Sequence, residues 1–176
     1  MNAYQTGRAF GLLSGILIGL VFVVVLLRYM NTNHKMKTEY DEMQQIIRNR
    51  GYKYGFYAVL ITEALLCVIT TAVTIPAEPI VIHFLPIFVG VVVQASYCMW
   101  NGAYAGLNTN MKRYYVVAVI VLLINFLAFF AAWRSGSLIA DNTLQSPFIN
   151  LLCALMIVIL GIVGLLRKAA DRREEA

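Results

Sequence analysis

Charge is scarce in this chain: 14 Lys and Arg and 9 Asp and Glu make up only 13% of its 176 residues. Soluble domains carry about 25%, so a solvated globular domain, a charged disordered segment and a nucleic-acid-binding domain are all excluded. Cysteine is scarce too. Cys67, Cys98 and Cys153 form no CxxC pair, which rules out a disulfide framework and a zinc ribbon. The sequence has no HExxH, no GxSxG, no P-loop and no paired intramembrane aspartates, so the signatures of hydrolytic and phosphate-binding chemistry are missing. A membrane redox relay would need paired cysteines at an exposed turn, and there are none. The expectation is a protein that is not an enzyme and needs neither cofactor nor metal.

What the chain has instead is apolar length. Hydrophobic residues make up 60%, and five stretches match a transmembrane helix: residues 9–27, 56–75, 80–105, 114–133 and 148–166. The first is uncharged over nineteen residues and ends at Arg28, reaching about 28 Å against a hydrocarbon core of roughly 30 Å. It is longer than the apolar core of a secretory signal and no small-residue cleavage pattern precedes Arg28, so it reads as a span. Pro76-Ala77-Glu78-Pro79 turns the chain between the second and third stretches. Runs such as residues 21–27 do not alternate, which excludes a membrane β-barrel. The fold class expected is all-α: one integral membrane bundle of five transmembrane helices.

The basic residues orient it. Arg28, Lys35, Lys37, Arg48, Arg50, Lys53, Lys112, Arg113, Arg167, Lys168, Arg172 and Arg173 fall on one side if five helices alternate. Only Arg8 and Arg134 fall on the other. By the positive-inside rule the N-terminus is outside and the C-terminus inside, with residues 28–55 and a tail at 167–176 cytoplasmic. The net charge of +5 then meets the anionic headgroups of the inner leaflet rather than nucleic acid.

Three patterns stand out within this frame. Gly7, Gly11, Gly15 and Gly19 lie four residues apart on one face of the first span, a ridge along which another helix can approach closely. That helix belongs either to this chain or to a second copy or other partner. The second span carries Glu63, Cys67, Thr70 and Thr74 on one face, and the third Gly90, Gln94, Tyr97, Asn101 and Tyr104, with His83 one heptad before Gly90. An ionised acid at the bilayer centre costs roughly 2.5–3.5 kcal/mol, so Glu63 is expected to face protein. Its expected neighbours are Gln94 and Asn101, with Tyr97 and Thr70 completing an intramembrane polar site. The simpler reading of the amides is interhelical hydrogen bonding, and of His83 an interfacial or capping residue.

Finally, residues 36–50 have the period of a short amphipathic cytoplasmic helix, with Met36, Tyr40, Met43 and Ile47 on one stripe and Gly51 breaking it. Such a helix lies on the inner leaflet or docks a cytoplasmic regulatory partner through Tyr40, Asp41, Glu42, Met43, Gln44 and Ile47.

The run Tyr40-Asp41-Glu42-Met43-Gln44, the later Arg50-Gly51-Tyr52-Lys53-Tyr54-Gly55-Phe56 and the turn Gly102-Ala103-Tyr104-Ala105-Gly106-Leu107-Asn108 resemble a group of small bacterial membrane proteins of four or five spans. The resemblance covers residues 38–115. It implies an association with gene control, because some such proteins are encoded beside helix-turn-helix regulators, and it implies no activity and no binding residues. Two functions are therefore expected of the sequence. The first is a sensory or accessory subunit of the bacterial inner membrane, acting through the glycine ridge and a cytoplasmic partner. The second is a small oligomeric proton-coupled or solute transporter built around Glu63.

Overall fold

The computed structural model describes residues 3–174. Five α-helices dominate them: α1 (Ala3–Met30), α2 (Glu42–Ala72), α3 (Pro79–Trp100), α4 (Met111–Arg134) and α5 (Phe148–Glu174). A two-stranded hairpin, β1 (Ile139–Ala140) and β2 (Thr143–Leu144), lies between α4 and α5. Each helix has the length and apolar composition needed to cross a bilayer. The chain forms two compact units, Met1–Glu39 with Gly106–Val117, and Tyr40–Ala105 with Ala118–Ala176.

In the larger unit α3 is central, packing along α2 on one side and α5 on the other. The α2–α3 seam is made by glycine. A Cβ placed on Gly55 would lie 2.8 Å from both the Gln94 Cβ and the Gly90 carbonyl oxygen, and one on Gly51 would lie 2.7 Å from the Cys98 Sγ. A Cβ on Gly90 would run into Val59 and stand 3.0 Å from the Gly55 carbonyl oxygen. As α2 advances from Gly51 to Val59 its partners on α3 recede from Cys98 to Gly90, so the two helices are antiparallel. Along the α3–α5 contact Gly164 plays the same part against the Met99 Sδ, 3.1 Å from the position of its absent Cβ. The core residues are correspondingly small: Val81, Ala95, Cys98 and Ala154, with Leu152 and Leu160. Between lipid-exposed helices the hydrophobic effect supplies no drive to associate, so close backbone approach and dispersion must hold them.

At one end of this unit the turn after α2 is stitched to the hairpin. Glu78 N–H donates to the Leu144 carbonyl and Leu144 N–H to the Pro76 carbonyl, both at 2.8 Å. The Glu78 carboxylate accepts from Ser146 N–H at 2.7 Å. Asp141 and Asn142 take φ of 49° and 58°, the left-handed pair that a two-residue hairpin turn requires. Pro79 opens α3 at a position that tolerates a missing N–H. Pro86, inside the helix and fully buried, leaves the Ile82 carbonyl without its usual i+4 donor.

The smaller unit is held by a polar knot. Asn31-Thr32-Asn33, directly after α1, pairs antiparallel with Asn108-Thr109-Asn110, directly before α4. Thr32 N–H donates to the Asn108 carbonyl and Asn110 N–H to the Met30 carbonyl, each at 2.8 Å. The buried Asn108 side chain accepts from Glu39 N–H at 2.8 Å and donates to Asn33 Oδ1 and the Lys37 carbonyl. The buried Asn31 amide donates to the Lys35 carbonyl.

Several boundaries differ from the sequence expectation. There is no separate amphipathic helix at 36–50. Residues 36–41 are not helical, and α2 starts at Glu42 behind an Asp41 N-cap whose side chain accepts from Gln44 N–H at 2.6 Å while Gln44 reaches back to Asp41 N–H. This reciprocal capping box fixes the start. Gly51 does not end the helix, because its missing side chain is what allows α3 to approach. The third span stops at Trp100 rather than 105, capped at Asn101 and turned by Gly102 at φ +72°. Beyond residue 166 α5 continues to Glu174, with an Arg167–Asp171 ion pair of 2.7 Å one turn apart, and residues 175–176 lie outside the described part.

Candidate functional site

Glu63 does not meet Gln94, Asn101, Tyr97 or Thr70. Its carboxylate Oε1 lies 3.2 Å from Nδ1 of His83, across the α2–α3 seam. The antiparallel register explains this: Gly55 and Val59 already occupy the Gly90–Gln94 level, and two turns further along α2 the facing part of α3 is its first turns. Glu63 stands nine residues before the end of α2, about 14 Å along the helix axis, and His83 four residues after the start of α3, about 6 Å. The histidine is thus a partner of the acid, not a cap.

The other residues of the expected polar site serve packing. Gln94 presses its Cβ against the Gly55 position, and its amide donates weakly to the Cys98 Sγ at 3.8 Å. Tyr97 stacks edge-on with Tyr54 of α2, centroids 4.9 Å apart. The Asn101 amide returns to the Tyr97 carbonyl, and the Thr70 hydroxyl to the Leu66 carbonyl of its own helix. Asn125 and Asn150 likewise bond to carbonyls three or four residues back, so neither amide bridges helices. Of the cysteines, Cys98 is buried in the core, Cys153 half-buried and Cys67 exposed. Among the described residues no group of three or more His, Cys, Asp and Glu could hold a metal ion.

The α1 ridge has a different standing. A Cβ on Gly7, Gly11, Gly15 or Gly19 would meet nothing within 4 Å among the described residues. Among the described residues nothing covers this small-residue surface from Gly7 to Gly19; Phe10 and Ile16 are exposed beside it, and Leu13 and Leu17 are exposed on the opposite side of the helix.

Of the expected docking segment, Asp41 and Gln44 are occupied by the capping box. Gln44 Nε2 also donates to the Gly102 and Ala105 carbonyls, at 3.2 and 3.3 Å. The neighbouring Arg48 guanidinium lies 4.0 Å from the centre of the Tyr40 ring and donates to the Tyr52 hydroxyl at 2.8 Å and the Ala103 carbonyl at 3.5 Å. Ile47 and Tyr40 are half-buried, leaving Glu42 and Met43, with Ile46 beside them, as the outward surface. The two short motifs at 40–44 and 102–105, far apart in the chain, thus bond to each other.

Two features were missed in the sequence: the Gly51/Gly55/Gly90 seam and the Asn-Thr-Asn knot. Both left a trace there, a GxxxG pair on the second span and a tripeptide that occurs twice.

Five helices of this length and apolarity are those of a multi-pass membrane protein. Compared with known family models, curated proteins and solved structures, the chain matches none.

Proposed function

We propose that the protein is a non-enzymatic accessory or regulatory subunit of the bacterial inner membrane, with its N-terminus outside and its C-terminus in the cytoplasm. It works by packing α1 against a helix of a second polypeptide, either another copy or a different membrane protein. The observation that carries this reading is the glycine ridge of α1, where no described residue fills the place of a Cβ, in contrast to the α2–α3 seam, in which every glycine is already in contact. Within a bilayer such a ridge gains close backbone contact only when a helix lies on it. Exposed Glu42, Met43 and Ile46 supply the docking surface for a cytoplasmic regulatory partner, and the basic residues near it favour anionic lipid at the same membrane face. Binding of that partner is expected to be lost in Met43→Glu.

The test uses oxidative cross-linking in native membranes, with Cys67, Cys98 and Cys153 replaced by alanine. A cysteine at Gly15 should cross-link to a second polypeptide, and a cysteine at Leu17, about 200° around the helix, should not. Equal yields at both positions, or none at Gly15, overturn the reading. One observation favours a second reading, a proton-coupled carrier: Glu63 is held by a titratable partner rather than by the protein's amides.

A further inference from the structure

We propose that Glu63 is a proton-loading site, and that His83 relays protons to it from the membrane face that bears the 73–78 turn. The proposal concerns proton binding alone and stands whether or not α1 has a partner or a solute moves with the proton.

The geometry carries three steps. Nδ1 of His83 and Oε1 of Glu63 are 3.2 Å apart. With no hydrogen between them two lone pairs would face each other, so a proton sits on one of the two atoms. Next, the two groups differ in depth. His83 stands four residues, about 6 Å, inside α3, whereas Glu63 stands nine residues, about 14 Å, inside α2. The imidazole is therefore the entrance and the carboxylate the terminus. Lastly, Nε2 of His83 has no partner among the described residues, which leaves it free to take a proton at the interface. Imidazole is suited to this because its two nitrogens can gain and lose protons at opposite ends of one ring.

The relay moves one proton from the interface to Glu63. It starts from a Glu63 carboxylate that accepts from Nδ1–H of a neutral His83. A proton from the interface binds Nε2 and gives the imidazolium. The Nδ1 proton passes to Oε1, leaving a neutral histidine with its hydrogen on Nε2 and a neutral carboxylic acid. One proton has been taken up, and the pair goes from a charge of −1 to zero. In hydrocarbon, removal of a net charge favours the loaded state.

No other group competes for that proton in the packed helices. Between residues 58 and 72 α2 carries only Glu63 and Cys67 as titratable groups; α3 carries His83, with Tyr97 and Cys98 fourteen or more residues further on; α5 has only Cys153 before Arg167. At the turn itself Glu78 is engaged by Ser146 N–H.

The experiment follows the carboxylic acid band of the full chain in lipid nanodiscs by time-resolved infrared spectroscopy. The sample is jumped from about pH 8 to about pH 6. The wild type should gain a carboxylic acid band that is absent from Glu63→Gln. In His83→Gln, which can hydrogen-bond but holds no exchangeable proton charge, the band should rise roughly tenfold more slowly. His83→Phe should be equally slow, and it provides the reading if the glutamine variant fails to fold. Equal rates in wild type and either histidine variant overturn the relay. A Glu63 band that is missing at both pH values, or present and unchanged at both, overturns the loading site.

Discussion

Gly51 and Gly55 on α2 have the same four-residue spacing as Gly11, Gly15 and Gly19 on α1, yet the two sets meet opposite surroundings. On α2 each missing Cβ is replaced by an atom of α3; on α1 it is replaced by nothing within 4 Å among the described residues. The sequence pattern is more regular on α1, with four glycines in register, than on α2, with two. Spacing therefore reports that a helix has a smooth face, and not whether that face is used inside the chain. What separates the cases is the facing helix: α3 offers Gly90 at the level of Gly55 and Val59, and its own smooth position completes the fit.

The sharpest way to break the comparison is to fill the α2–α3 seam. Gly55→Val places branched carbon against the Gly90 carbonyl and the Gln94 Cβ, and backbone cannot yield as a side chain can. We expect a loss of about 3 kcal/mol or more, the upper range for overpacking, measured by thermal unfolding in detergent. Survival of the variant with unchanged stability would mean that α2 and α3 are not in this register.

Gly90→Ala should cost less, about 1–3 kcal/mol, because the nearest obstacle is the Val59 side chain rather than backbone. The double variant Gly90→Ala with Val59→Ala should recover part of that loss. Failure to recover any would place the strain on the Gly55 carbonyl instead.

These two glycines also show why the sequence was only partly legible. Composition and apolar length determine the five helices, since lipid leaves the backbone no alternative partner, and all five were readable. The start of α2 was readable in principle: Asp41 and Gln44 stand three apart as a capping box demands. The stripe from Met36 masked it, although residues 36–41 are not helical. The sequence places a helix break at Gly51, but α2 runs through it, and Cys98 and Tyr97 of α3 stand where its Cβ would be. Glu63 is the acid that the sequence singles out, and in the structure its neighbour is His83 rather than Gln94 or Asn101. A helical period tells which residues share a face of one helix; the register against a second helix decides which of them meet, and that depends on Gly51 and Gly55, which lie outside the Glu63 stripe of the second span.

Capping and packing can be separated on the same helix. Asp41→Ala leaves the seam intact and removes the acceptor for Gln44 N–H, with an expected cost of about 1 kcal/mol. The loss should be local, seen as faster hydrogen exchange at residues 42–45 with little change beyond Gly51. A change spread along the whole of α2 would mean that the cap, rather than the glycine seam, sets the helix register.

The smallest effect on stability is expected on α1, and it is the most telling. Gly15→Ala adds a methyl group where nothing stands within 4 Å among the described residues, so the isolated chain should not be strained. Alanine is the better helix former by about 0.8–1.0 kcal/mol, so the variant should be as stable as the wild type or slightly more so. If the ridge is a docking face, the same methyl group holds the partner helix away, and cross-linking through α1 should fall while stability does not. On α2 the corresponding change weakens the fold itself. A Gly15→Ala chain that lost stability in the absence of any partner would show that the ridge is packed within the chain after all, and the contrast between the two glycine faces would disappear.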